Sequence, residues 1–128
     1  MIKIYPAIFD VDPVGYGIYF PDVEGAATQG NDLEDGLAMA SDVLGIQLAW
    51  NIENNIPLPK PTPINEIAFN KATQFVTLIS VNLADYLQDT RPDKKTIKIP
   101  HWLNVRAEKE GINFSKTMTE ALIEKLGV

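Results

Sequence analysis

The chain has no cysteine and only one histidine, His101. Without thiols there is no disulfide framework and no thiolate metal site. A lone histidine with no second histidine or cysteine to join it makes no metal-ligand set. Nor does it have a serine or cysteine neighbour with which to form a nucleophile–base pair. No apolar run is long enough to cross a membrane, and the first residues lack a signal-peptide pattern. Positive charge is scarce over most of the length: residues 1–93 carry four Lys/Arg against thirteen Asp/Glu, a net −9. These absences fit a protein of the reducing cytoplasm that needs neither metal nor cofactor.

The missing positive charge is gathered at one end. Residues 94–128 carry seven Lys/Arg against four Asp/Glu, a net +3, although the whole chain of 128 residues is at −6. An acidic body joined to a basic tail is two electrostatic objects, and each implies its own partner.

In the body, residues 1–11 read as a strand with apolar side chains on both sides, expected to be covered on both faces. Asp12-Pro13-Val14-Gly15 is turn chemistry, so residues 16–20 should return as a hairpin partner. After a second turn at residues 21–25, residues 26–29 make a short third strand. Asn31, with Glu34 three residues on, is placed to cap a helix. In that helix Leu33, Leu37, Ala40, Leu44, Leu48 and Ile52 recur at steps of three or four. Asp32, Glu34 and Asp35 sit where the helix dipole favours acids. The proline-rich residues 56–63 form a stiff extended connector. Residues 75–81 give a fourth strand, residues 82–88 at most one helical turn, and the polar residues 89–93 a boundary. This is an α+β layer of one sheet and one helix, β-β-β-α-β, over residues 1–90.

In the tail, residues 94–99 alternate: Lys94, Thr96 and Lys98 on one side, Lys95, Ile97 and Ile99 on the other. Pro100 ends that strand and opens a helix to Glu110, and Gly111 stops it. Asn113 or Ser115 can cap a second helix, whose stripe is Phe114, Met118, Ala121, Leu122 and Leu126. The strand has no mate inside its own segment. It is expected to pair with the same strand of a second chain, as a β-α-α homodimer over residues 94–128. A further pairing of dimers into tetramers is left open.

The segments TIKIP and EGINFSKTMTEAL in this strand-helix-helix order resemble the ribbon-helix-helix family of DNA-binding proteins. The wider combination of YPAIF, GIYFPDVEGAATQG, the helix from Leu33, IPLP and FVTLISVNLADYL resembles the HicB antitoxins over nearly the whole chain. That resemblance implies a degenerate ribonuclease-H-like N-terminal domain and a DNA-binding tail. It implies a partner, a small basic HicA-type toxin that cleaves mRNA and is masked by the antitoxin. It also implies repression of their shared operon through double-stranded operator DNA.

A two-stranded ribbon fits the major groove, where lysine reaches guanine acceptors and threonine reaches base edges. Lys94, Thr96 and Lys98 are the ribbon candidates. Asn113, Ser115 and Lys116, at the start of the second helix, are the candidates for a DNA phosphate. A ribonuclease-H-like fold also raises Asp10, Asp12, Asp42 and Asp85 as possible metal-holding carboxylates. The expectation is nonetheless no catalytic residue and no metal, and the toxin-binding residues are not readable. Asp22, Gly25, Thr28 and Gly30 match family positions and are read as fold residues: turn freedom for the glycines, hydrogen bonds to the following turn amides for Asp22. The alternative from another class is a stand-alone ribbon-helix-helix regulator with a ligand-sensing N-terminal domain.

Overall fold

The computed structural model describes residues 1–128. They form two compact units, Met1–Gln88 and Asp89–Val128.

The first unit runs β1 (Ile2–Asp12), β2 (Gly15–Tyr19), β3 (Ala27–Gly30), α1 (Leu33–Glu53) and β4 (Gln74–Asn82). Strand order in the sheet is β3-β2-β1-β4, and every neighbouring pair is antiparallel. The hairpin turn between β1 and β2 is fixed by Asp12, whose Oδ1 accepts from the Val14 amide at 3.0 Å. Alternate side chains of β1 leave the sheet on opposite faces. Tyr5, Ala7 and Phe9 go into the core with Ile18, Ile79 and Val81, against Ala40, Leu44 and Leu48 of α1. Pro6 and Ile8 are buried on the other face, so the centre of β1 is covered twice. Its first turn of sequence is not: Ile2 and Ile4, and Leu78 of β4, remain exposed. The return from α1 to β4 contains a short 3-10 turn, Ile64–Glu66, which packs on β4. The return ends where the Thr73 carbonyl accepts from the Val11 amide at 2.8 Å.

Two expectations about α1 need correcting. Its cap is Asp32, not Asn31: the Asp32 carboxylate accepts from the Asp35 amide, and the Asp35 carboxylate accepts from the Asn31 amide, both at 2.8 Å. Either residue type can cap, and each has a carboxylate three positions on; it is the Asp35 carboxylate, not that of Glu34, that bonds back, to the Asn31 amide. The core stripe also starts later. Ala40, Leu44 and Leu48 are fully buried, but Leu33 and Leu37 are exposed and Gly36 takes the inward position. The reason is contact at the first turn: Gly36 meets Gly30 at the end of β3, which leaves no room there for a leucine. Beyond β4 the expected helical turn is a 3-10 turn, Leu83–Asp85, with Leu83 fully buried.

The second unit has α2 (His101–Lys109) and α3 (Phe114–Leu126). They are joined through Gly111, at φ +67°. Of the two expected caps for α3, Asn113 is used: its side chain accepts from the Lys116 amide at 3.0 Å. The expected strand over residues 94–99 is not formed in the single chain. Residues 91–100 carry no regular structure and are all exposed. A strand is defined by the hydrogen bonds of a neighbour, and this chain holds no neighbour for it. No residue of Asp89–Val128 is buried, although Trp102, Leu103, Ile112, Phe114, Leu122 and Leu126 all belong to it.

Candidate functional site

The six tail residues singled out from the sequence fall into two groups. Lys94, Thr96 and Lys98 lie along the exposed segment before α2, which carries no regular structure. Asn113, Ser115 and Lys116 mark the start of α3. The Asn113 Oδ1 accepts the Lys116 amide as the cap, which leaves its Nδ2 hydrogens to donate. The first amides of a helix have no partner within it. With the Lys116 amide taken, those of Phe114 and Ser115 remain. His101 is the exposed first residue of α2.

The acids of the first unit are dispersed. Asp10 accepts from Gln74 Nε2 across the β1–β4 pair at 2.6 Å. Asp12 sits in the hairpin turn. Asp42, on α1, accepts from the Tyr86 hydroxyl at 2.9 Å, and Asp85 is in the 3-10 turn after β4. Nowhere do three His, Asp or Glu side chains converge into a metal-holding group. Burial pushes the Tyr86 hydroxyl above its ordinary pKa, helped by the carboxylate of Asp42. Burial likewise raises Tyr5, with the Asp22 charge adding to it.

Asp22 does not bond the turn that follows it. Its carboxylate reaches the proline-rich connector, accepting from the Thr62 amide at 2.8 Å and the Thr62 hydroxyl at 2.6 Å. The Tyr5 hydroxyl donates to the Pro59 carbonyl of the same connector. Gly25, at φ +85°, uses the freedom expected of it. Gly30 does not: its role is close approach, because a Cβ there would fall 2.5 Å from the Gly36 nitrogen.

Residues 1–88 hold eleven carboxylates and three lysines and no arginine, a net −8. The only ion pair in the structure is Arg91–Asp89, at 3.0 Å, so every carboxylate of this unit lacks a cationic partner. Two cavities open beside α1. One, of about 370 Å³, is lined by Asp22, Glu24, Gln47, Trp50, Pro57 and Pro59 among others. The other, of about 250 Å³, is lined by Ile46, Trp50, Glu53, Asp85 and Tyr86 among others. Trp50 borders both and is 53% exposed. The sequence hides it because the inward stripe of Ala40, Leu44 and Leu48 dominates the hydropathy of α1. Met39, Ile46 and Trp50, at steps of seven and four, were a second stripe on the opposite side of the same helix.

Comparison with known proteins bears on both units. The model of the HicB-like antitoxin family of bacterial toxin–antitoxin systems matches residues 5–124. Antitoxin HicB 2 of Photorhabdus laumondii is 36% identical over 62 residues, 48% of this chain and 45% of that protein. The chain thus spans less than half the length of that curated relative. A toxin–antitoxin complex from Streptococcus pneumoniae contains a chain 35% identical, with a TM-score of 0.64 over 98% of this chain and 99% of that one. The Burkholderia pseudomallei antitoxin HicB, at 20% identity, shares the fold, with a TM-score of 0.63 over 97% of this chain and 98% of that one. With a four-stranded antiparallel sheet backed by one long helix, and a family match that runs across both units, this protein belongs to the HicB-like antitoxin family.

Proposed function

We propose that this protein is an antitoxin that masks a small, basic, mRNA-cleaving HicA-type toxin with its N-terminal unit. We propose also that it represses the toxin–antitoxin operon by binding operator DNA as a homodimer through residues 94–128. The β-β-β-α-β order supports reading the first unit as a degenerate ribonuclease-H-like domain. Its net −8, unanswered by internal ion pairs, suits a basic RNA-binding surface. Charge complementarity of that kind speeds association, and burial sets the lifetime of the complex.

One observation carries the DNA-binding half: Asp89–Val128 holds two helices and, over residues 94–99, a segment whose sequence alternates, yet no residue of it is buried within its own chain. A unit without a core cannot offset the conformational entropy lost on ordering it. Pairing residues 94–99 of two chains closes Ile97 and Ile99 against the helices and satisfies the bare strand edge. Lys94, Thr96 and Lys98 then face outward as a ribbon for the major groove. The amides of Phe114 and Ser115, with Lys116, meet a phosphate at the start of α3.

The test separates the two activities. Thr96→Ala and Lys98→Ala weaken operator binding in a gel-shift titration but still rescue growth of cells making the toxin. Rescue lost while DNA binding survives overturns this division of labour. Operator affinity also falls steeply with salt; a flat salt titration rejects the phosphate contacts.

A further inference from the structure

Resting on the antitoxin reading, we propose that the basic partner seats on the outer face of α1. Trp50 is the apolar anchor there, and the carboxylates on its two sides, Glu24 on one and Glu53 with Asp85 on the other, receive two cationic side chains.

The outer face of a helix packed on a sheet is ordinarily polar. Here Ile46 and Trp50, one turn apart, are 55% and 53% exposed, and Met39 continues the line. Their own unit leaves about half of Ile46 and of Trp50 uncovered. Exposed tryptophan beside exposed isoleucine is costly in water and marks an interaction surface. Tryptophan is also among the residues that most often dominate binding energy at protein interfaces.

The two cavities give that surface its specificity. They flank Trp50, so a partner that covers the indole meets a recess on either side. Each recess has carboxylates in its wall. Asp22 is committed to Thr62, which leaves Glu24 as the acceptor on one side. On the other, Glu53 accepts the Gln88 amide through Oε1 alone, at 2.7 Å, and Asp85 stands beside it. A lysine or arginine entering either recess finds an unpaired carboxylate and passes over or beside the indole, where its charge is further favoured. Neutral or acidic partners gain none of this. A second group of exposed apolar side chains in the unit, Ile2, Ile4 and Leu78 on the far face of the sheet, has no such carboxylate-lined recesses beside it and does not select a basic partner.

The experiment uses the full-length antitoxin and the purified toxin encoded beside it, with affinity and rates measured at several salt concentrations. Trp50→Ala weakens binding by about thirtyfold or more, through faster dissociation. Glu24→Gln with Glu53→Gln slows association and flattens its salt dependence, while Glu53→Lys weakens binding further through repulsion. Leu78→Ser, on the far face, leaves affinity unchanged. All four side chains are exposed, and circular dichroism confirms that each variant is folded. If the wild type binds and the Trp50 and glutamate variants stay within about twofold of it, the surface is wrong and the antitoxin reading stands. If the wild type does not bind the toxin, the antitoxin reading fails and this inference with it. If Trp50→Ala instead lowers the mass of the antitoxin alone in solution, the face belongs to a second copy of this chain, and the inference is overturned.

Discussion

Gly30 and Gly36 lie backbone against backbone where β3 gives way to α1, so close that a methyl group on Gly30 would fall 2.5 Å from the Gly36 nitrogen. Backbone cannot step aside as a side chain can. Gly30→Ala is therefore expected to lever the first turn of α1 off the sheet and cost about 3 kcal/mol of stability. Gly36→Ala meets only side-chain carbons, Phe9 Cε2 at 3.2 Å and Ile18 Cδ1 at 3.3 Å. It also gains helix propensity of about 1 kcal/mol. Urea titration of both variants should show the first far less stable than the second; equal midpoints would refute the backbone contact.

Asp22 and Thr62, forty positions apart, tie the turn before β3 to the proline-rich connector through two hydrogen bonds to one carboxylate. Asp22→Ala should cost about 1.5–3 kcal/mol, the range for charged hydrogen bonds. Thr62→Val removes only the hydroxyl donor and should cost less. A double-mutant cycle should return a clear coupling between the two, and simple additivity would show that the tie contributes nothing.

Tyr5 carries a pH prediction. Its folded pKa is raised above the ordinary 10.0, first by burial and then by the charge of Asp22. For a group with a raised folded pKa, the stabilisation is fully present below the unfolded value and is lost as pH rises through the folded one. The first unit should therefore lose stability above about pH 10 as the hydroxyl gives up its bond to the Pro59 carbonyl. Tyr5→Phe should flatten that loss, leaving the smaller part due to Tyr86, whose pKa is also raised. Thermal melts at a series of alkaline pH values decide it; an unchanged slope in Tyr5→Phe would count against the assignment.

The tail carries a concentration prediction. A unit with no buried residue folds only as part of an assembly, so its melting temperature should rise with protein concentration while that of the first unit stays constant. Leu122→Asp, placing a charge on the apolar stripe of α3, should abolish the concentration-dependent transition and leave the other intact. A tail transition independent of dilution would mean that it folds alone.

The sheet strands and α1 were legible because their signals are local and strong. Short apolar, branched runs over β1 and β4, turn residues at Asp12-Pro13 and a long 3.6-residue period over α1 each state one element. The boundary errors were small and had a cause. Asn31 and Asp32 are both good capping residues, and only the reach of Asp35 back to the Asn31 amide chose between them. Leu33 and Leu37 looked like core because their spacing is right, but spacing says nothing about the Gly30–Gly36 contact that turns that end of the helix. The surface around Trp50 was unreadable for a different reason. Glu24, Glu53 and Asp85 lie far apart in sequence, and nothing local says that they border the same indole.

The order of elements, the division into an acidic body and a basic tail, and the family were already contained in the linear chain, because hydropathy period, capping chemistry and charge run along it. Which acids are spent on internal hydrogen bonds and which stand unpaired, which end of α1 touches the sheet, and which apolar side chains lack cover were decided only by folding. Those properties depend on distances between residues remote in sequence, and such distances come into being only when the sheet and helix pack.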